Sequence, residues 1–161
     1  GTRGAPADGA AADPARDVAL AAGVLLAFDR ESGMVFDFAL TGSAVYAIYE
    51  RLPVAGRGHR AFSCAVPLAA VRPGRFHRCA LTLDRSAATV SWTLDGTEVL
   101  TVANIGQQDF HDSCLMWDVP GREELVTPRQ LAFGFSLFAA APAGQGIRLD
   151  ARDLRVTTEP V

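Results

Sequence analysis

The sequence predicts an all-β chain, a β-sandwich of two antiparallel sheets, and three observations point to it. Met34–Leu40 and Thr89–Leu94 alternate in side-chain character with the period of two that half-buried strands require. Asp95-Gly96 joins the second of these runs to a third, and both residues tolerate the positive φ of a two-residue type I′ turn. No segment holds a helical period beyond about three turns, and no internal repeat is visible.

Taken in order, residues 1–16 read as a tail, with Gly, Ala, Pro and Asp and no periodicity up to residue 12, and residues 17–161 as one sandwich domain. Asp13-Pro14 either caps a short helix through Ala22 or belongs to a loop feeding a strand; both readings stand. Residues 24–28 are continuously apolar, as in a central strand covered on both faces. Met34, Phe36, Phe38 and Leu40 then point one way, with Val35, Asp37 and Ala39 opposite. In Ala44–Arg51, Tyr46, Ile48 and Glu50 share a face, opposite Val45, Ala47, Tyr49 and Arg51. Residues 61–68 form a strand with Phe62, Cys64, Val66 and Leu68 inward. Residues 76–83, Thr89–Leu94 and Thr97–Val102 make three further antiparallel strands, with Val90, Trp92 and Leu94 on the dry face. Residues 104–129 lack a sustained period and are long for a connection, which suggests a lid, a binding loop or an ordered excursion. Residues 130–140 return to strand character, and residues 147–156, alternating more weakly, are expected to close the sheet.

The stretch GRFHRCALTLD, followed by ATVSWTLDGTEVL, resembles the Asp-Gly hairpin of concanavalin A-like lectins and glucanases, the jelly-roll superfamily that includes laminarinase-type glycosidases. GMVFDFALTGSAVYAIYERLP resembles uncharacterised bacterial proteins of the same fold. The resemblance implies a concanavalin A-like jelly-roll β-sandwich, two curved antiparallel sheets with a concave groove, and it is nearly silent on activity. The laminarinase-type Glu-x-Asp-x-x-Glu motif is absent, and Asp37 has no carboxyl partner on its own strand, so the standard glycosidase mechanism is not expected.

Composition bounds the function. With 161 residues and 49% hydrophobic content, one domain can fill a core. A formal charge of -3 gives no electrostatic footprint for nucleic acid or anionic lipid, and no apolar run is long enough to span a membrane. All fifteen basic residues are Arg, the mark of a high-GC coding bias common in bacteria. Three cysteines, an odd number without framework spacing, fit free thiols in a reducing compartment. A cytoplasmic setting is therefore expected, or secretion if a leader has been removed.

Candidate site residues follow from parity. Asp37 stands opposite an apolar row and faces either bulk water or the groove. With it would come one of two sets, Tyr46/Glu50 or Tyr49/Arg51, and the small residues Gly134 and Ser136, which leave volume for a ligand. Trp117, and His111 as a candidate acid or base, would cover the groove from the long connection. Asp37, Glu50, Arg51 and His111 are the candidate catalytic groups; no metal motif and no cofactor motif is present. Three classes stand: a binding protein or cyclase-type enzyme for a small, fairly apolar metabolite, a carbohydrate-binding module, and a structural or protein-interaction domain. The expected partner is a small organic ligand or a carbohydrate.

Overall fold

A computed structural model describes residue 13, residues 15–139 and residues 147–158, so most of the tail read from the sequence lies outside the described residues. Asp13 and Asp17 each cap their own turn, through Ala15 N and Ala19 N at 2.9 Å, so two short turns replace a helix. The chain then enters β1 (Ala21–Asp29), the loop-to-strand alternative. It continues as β2 (Met34–Leu40), β3 (Ala44–Arg51) and β4 (Ala61–Ala70). After these come β5 (Cys79–Asp84), β6 (Thr89–Leu94), β7 (Thr97–Val102), β8 (Leu115–Val119) and β9 (Ala132–Ala139). Six strands form one antiparallel sheet in the order β8-β4-β3-β2-β1-β9, and three form the other, β5-β6-β7. The protein is a β-sandwich of two antiparallel sheets, an architecture compatible with a jelly roll.

The core lies between the sheets. Met34, Phe36 and Phe38 of β2, Tyr49 of β3 and Phe62 and Cys64 of β4 meet Val90 and Trp92 of β6. The Trp92 ring meets Phe36 edge-on with centroids 6.1 Å apart, and its indole N–H donates to the Asp37 carbonyl at 2.8 Å. The β6–β7 turn has φ of 51° at Asp95 and 86° at Gly96, as the type I′ reading requires.

Three elements differ from expectation. The strand expected over residues 76–83 begins only at Cys79. Asp95 holds the preceding residues instead, accepting from Arg78 N at 2.9 Å and contacting His77 Nδ1 at 2.8 Å. The long connection is the ordered excursion among the three alternatives: it contains a 3-10 turn (Asp112–Cys114) and β8, which pairs with the edge of β4. Five residues, LMWDV, are too few to show a period. Residues 147–156, expected to close the sheet, form no ladder. Their alternation slips by one at Asp153, which sits at φ 57° and leaves Ile147, Leu149 and Ala151 out of phase with Leu154 and Val156.

Candidate functional site

The face of the six-stranded sheet turned away from the core is built by register. Asp37 pairs with Leu26 on β1 and Ile48 on β3; Ile48 pairs with Ala65 on β4. One row along, Val35 pairs with Glu50, Glu50 with Ser63, and Ser63 with Trp117 of β8. On the other side, Ala39 pairs with Tyr46, while Gly134 and Ser136 of β9 pair with Leu26 and Val24. Directly opposite residues share a face, so these side chains stand together. The result is an apolar floor carrying two carboxyls, with aromatic rings on Tyr46 and Trp117. A Cβ built at Gly134 would meet open space.

Asp37 is 8% exposed and has no ion pair among the described residues. Its Oδ1 accepts one long bond, 3.3 Å, from Ala27 N. Burial pushes the carboxyl up to about 8, the Ala27 N–H pulls against that, and the negative charge of Glu50 adds to it. Glu50 is also raised, by burial, with Ser63 and Trp117 beside it as opposing donors. The Ser63 hydroxyl also lies 3.8 Å from Met116 Sδ. At neutral pH Asp37 therefore mainly holds its proton.

That proton has a consequence for stability. A carboxyl whose folded pKa lies above its unfolded value, about 3.9, binds more protons folded than unfolded. Stability is then lost as pH rises toward about 8. The melting temperature of the wild type is expected to fall from about pH 5 to about pH 8 relative to Asp37→Asn, which cannot ionise. Parallel profiles would show that Asp37 does not titrate in this range.

Of the two sets offered by parity, Tyr46/Glu50 lies on this face and Tyr49/Arg51 does not. Tyr49 and Arg51 are wholly buried on the inner side, so a ligand on the outer face meets neither. Tyr49 Oη accepts from Gly106 N at 2.7 Å, and Arg51 donates to the carbonyls of Gly106 and Glu124, both at 3.2 Å. Both residues clamp the long connection. Trp117 flanks the face from the sheet edge and does not cover it. His111 is exposed and caps the 3-10 turn, its Nδ1 set against Ser113 Oγ at 2.9 Å. Tyr46 donates its hydroxyl to Arg16 O at 3.0 Å and so ties the N-terminal turns to the sheet. Beside it a cleft of about 350 Å³ is lined by Tyr46 and Ala65 of this face, Val18 of the turns, and Leu115 and Met116 of β8. Asp37 and Glu50 adjoin the cleft through Ile48 and Ala65 and do not line it.

Sequence reasoning missed Glu50 as the carboxyl partner of Asp37. A search for a partner along one strand cannot find a group on the next strand, although alternation in Ala44–Arg51 had already put Glu50 and Ile48 on one face. The three cysteines are free, and burial pushes the Cys64 and Cys79 thiols up to about 11, far from nucleophilic at neutral pH. Among the described residues no three His, Cys, Asp or Glu side chains gather as a metal ion would need, and no helix is long and apolar enough to cross a membrane.

A family model described as a family of unknown function, DUF6081, matches residues 1–160. The chain belongs to the DUF6081 family. Among curated proteins, this DUF6081 chain is similar to the uncharacterized protein L829 of Acanthamoeba polyphaga mimivirus, 27% identical over 180 aligned positions. The match takes in 76% of the chain and 41% of the viral protein, so the chain spans less than half of that relative's length. No solved structure matches it.

Proposed function

We propose that the outer face of the six-stranded sheet binds a small, largely apolar organic molecule, oriented by Asp37 and Glu50. The observation that carries this reading is Asp37: a carboxyl more than nine-tenths buried, without a cation among the described residues, on an apolar floor beside a second carboxyl. Apolar contact with the half-buried Val24, Leu26 and Tyr46 would supply the affinity, at about 25 cal/mol per Å² buried. A neutral Asp37 donates a hydrogen bond or a proton, and Glu50, once ionised, accepts one. A protonated carboxyl and an ionised one side by side can act as general acid and general base. Such a pair serves a cyclisation or isomerisation that needs no covalent nucleophile, and a polyketide-like substrate of specialised-metabolite biosynthesis has the required apolarity.

The resemblance of the Asp-Gly hairpin to concanavalin A-like lectins supports a second reading, carbohydrate binding, for which the Tyr46 and Trp117 rings on the same face are the relevant groups. Thermal shift against a panel of oligosaccharides and polycyclic, polyketide-like molecules separates the two, with Asp37→Asn and Asp37→Ala alongside the wild type. The proposal expects stabilisation by members of the second group, lost in Asp37→Ala. Binding of sugars alone would favour the lectin reading. Metabolite binding indifferent to Asp37 would place the site elsewhere, and no response to either group would leave a protein-interaction domain.

A further inference from the structure

We infer that the free edge of β9 docks against a second copy of this chain, pairing β9 with β9 about a two-fold axis. β9 ends the six-stranded sheet, paired on one side only, with β1. No described residue forms a ladder with its other side. Its Phe133, Phe135 and Leu137 stand opposite Ala27, Leu25 and Gly23 and continue the core-facing surface beyond the cover of the smaller sheet. They are 50%, 47% and 57% exposed.

The chemistry of that edge singles it out. Unpaired edges are ordinarily protected by charge, proline or brevity. β8 is five residues long, carries Asp118 and runs into Pro120; β5 carries Asp84 and β7 carries Glu98. β9, eight residues of sequence AFGFSLFA, has none of these protections.

The occupant is argued from symmetry. In an antiparallel pair, opposite residues share a face, so two copies with their cores on the same side must pair residues of like parity. Centred on Phe135, the pairing sets Phe135 against Phe135 of the second copy, Phe133 against Leu137, and Gly134 against Ser136. The apolar row thus meets an apolar row and the small row meets a small row, with no charge to repel its own image. Such an isologous contact closes at two copies. It also brings the Gly134 and Ser136 ends of the two outer faces together, so that one sheet runs through both. The described C-terminal segment leaves room for this: Leu149 lies by Gly23, Phe135 and Leu137 on the core-facing flank, and no residue of the segment pairs with the strand edge.

Sedimentation equilibrium over a wide range of concentration is expected to show a monomer–dimer equilibrium. Phe135→Asp, which places two carboxylates on the axis, is expected to weaken association by about tenfold or more with an unchanged far-UV spectrum. Should that variant unfold, cross-linking serves instead. Phe135→Cys is expected to give a disulfide dimer under mild oxidation that the parent chain does not give, and Phe138→Cys, on the other face and off the axis, none. Amide exchange in β9 is expected to slow as concentration rises. A monomer at every concentration, a dimer indifferent to Phe135→Asp, absence of the Phe135→Cys cross-link, or β9 protection independent of concentration would each overturn the proposal, the last showing that the chain covers this edge itself.

Discussion

Replacing Trp92 by alanine is expected to lower stability by about 3–5 kcal/mol, the range for large aromatic truncations in cores. Trp92 is completely buried at the centre of the inter-sheet contact, packed against Phe36. Its indole N–H is also the hydrogen-bond donor to the carbonyl of Asp37. Alanine therefore opens a cavity and leaves that carbonyl without the indole. Trp92→Phe keeps most of the volume and loses only the donor, at about 1–3 kcal/mol. Urea unfolding of the two variants separates packing from hydrogen bonding. A loss below about 1 kcal/mol for the alanine variant would mean that the two sheets hold together by other means. Because the same bond fixes the backbone of Asp37, both variants are expected to weaken any ligand that depends on that carboxyl.

Arg51→Met is expected to cost about 3 kcal/mol, the low end of what breaking a buried ion pair costs. The guanidinium is fully buried and serves the Gly106 and Glu124 carbonyls together with the Glu124 carboxylate. Without it these acceptors lose their donor inside the fold. The low end applies because Glu124 retains Arg122, at 3.0 Å, and is partly exposed. Arg51→Lys is not expected to rescue the loss, since one ammonium cannot reproduce the planar fork of donors. Amide exchange should report the damage locally, with protection lost at Gly106 and at Val126, whose N–H donates to Ile105 O. Global stability loss with those amides still protected would contradict the clamp. Arg122 and Arg51 hold the Glu124 carboxyl below its ordinary range, so the clamp is complete at neutral pH and weakens as pH falls through that lowered value.

Much of the strand content was legible because alternation is a local property. Met34–Leu40, Ala44–Arg51, Thr89–Leu94 and Thr97–Val102 fall where the pattern puts them, and Asp95-Gly96 makes the turn between the last two. β8 was not legible: a short strand on the rim alternates over too few residues, and its existence depends on β4 offering an edge. Residues 147–156 erred the other way, because a slip at Asp153 imitates weak alternation and no neighbouring strand takes up the backbone. A ladder needs two partners, and one sequence segment describes only one of them.

The sequence by itself determined which side chains share a face: Asp37 with Val35 and Ala39, Glu50 with Tyr46 and Ile48, Trp92 with Val90 and Leu94. That follows from the two-residue pleat and needs no knowledge of neighbours. Only the tertiary structure decided which of those faces is the core, and so buried Tyr49 and Arg51 and turned Tyr46 and Glu50 outward. It alone set Glu50 beside Asp37. Strand pairing joins residues distant in sequence, and its register is fixed by which apolar row must be buried between the sheets.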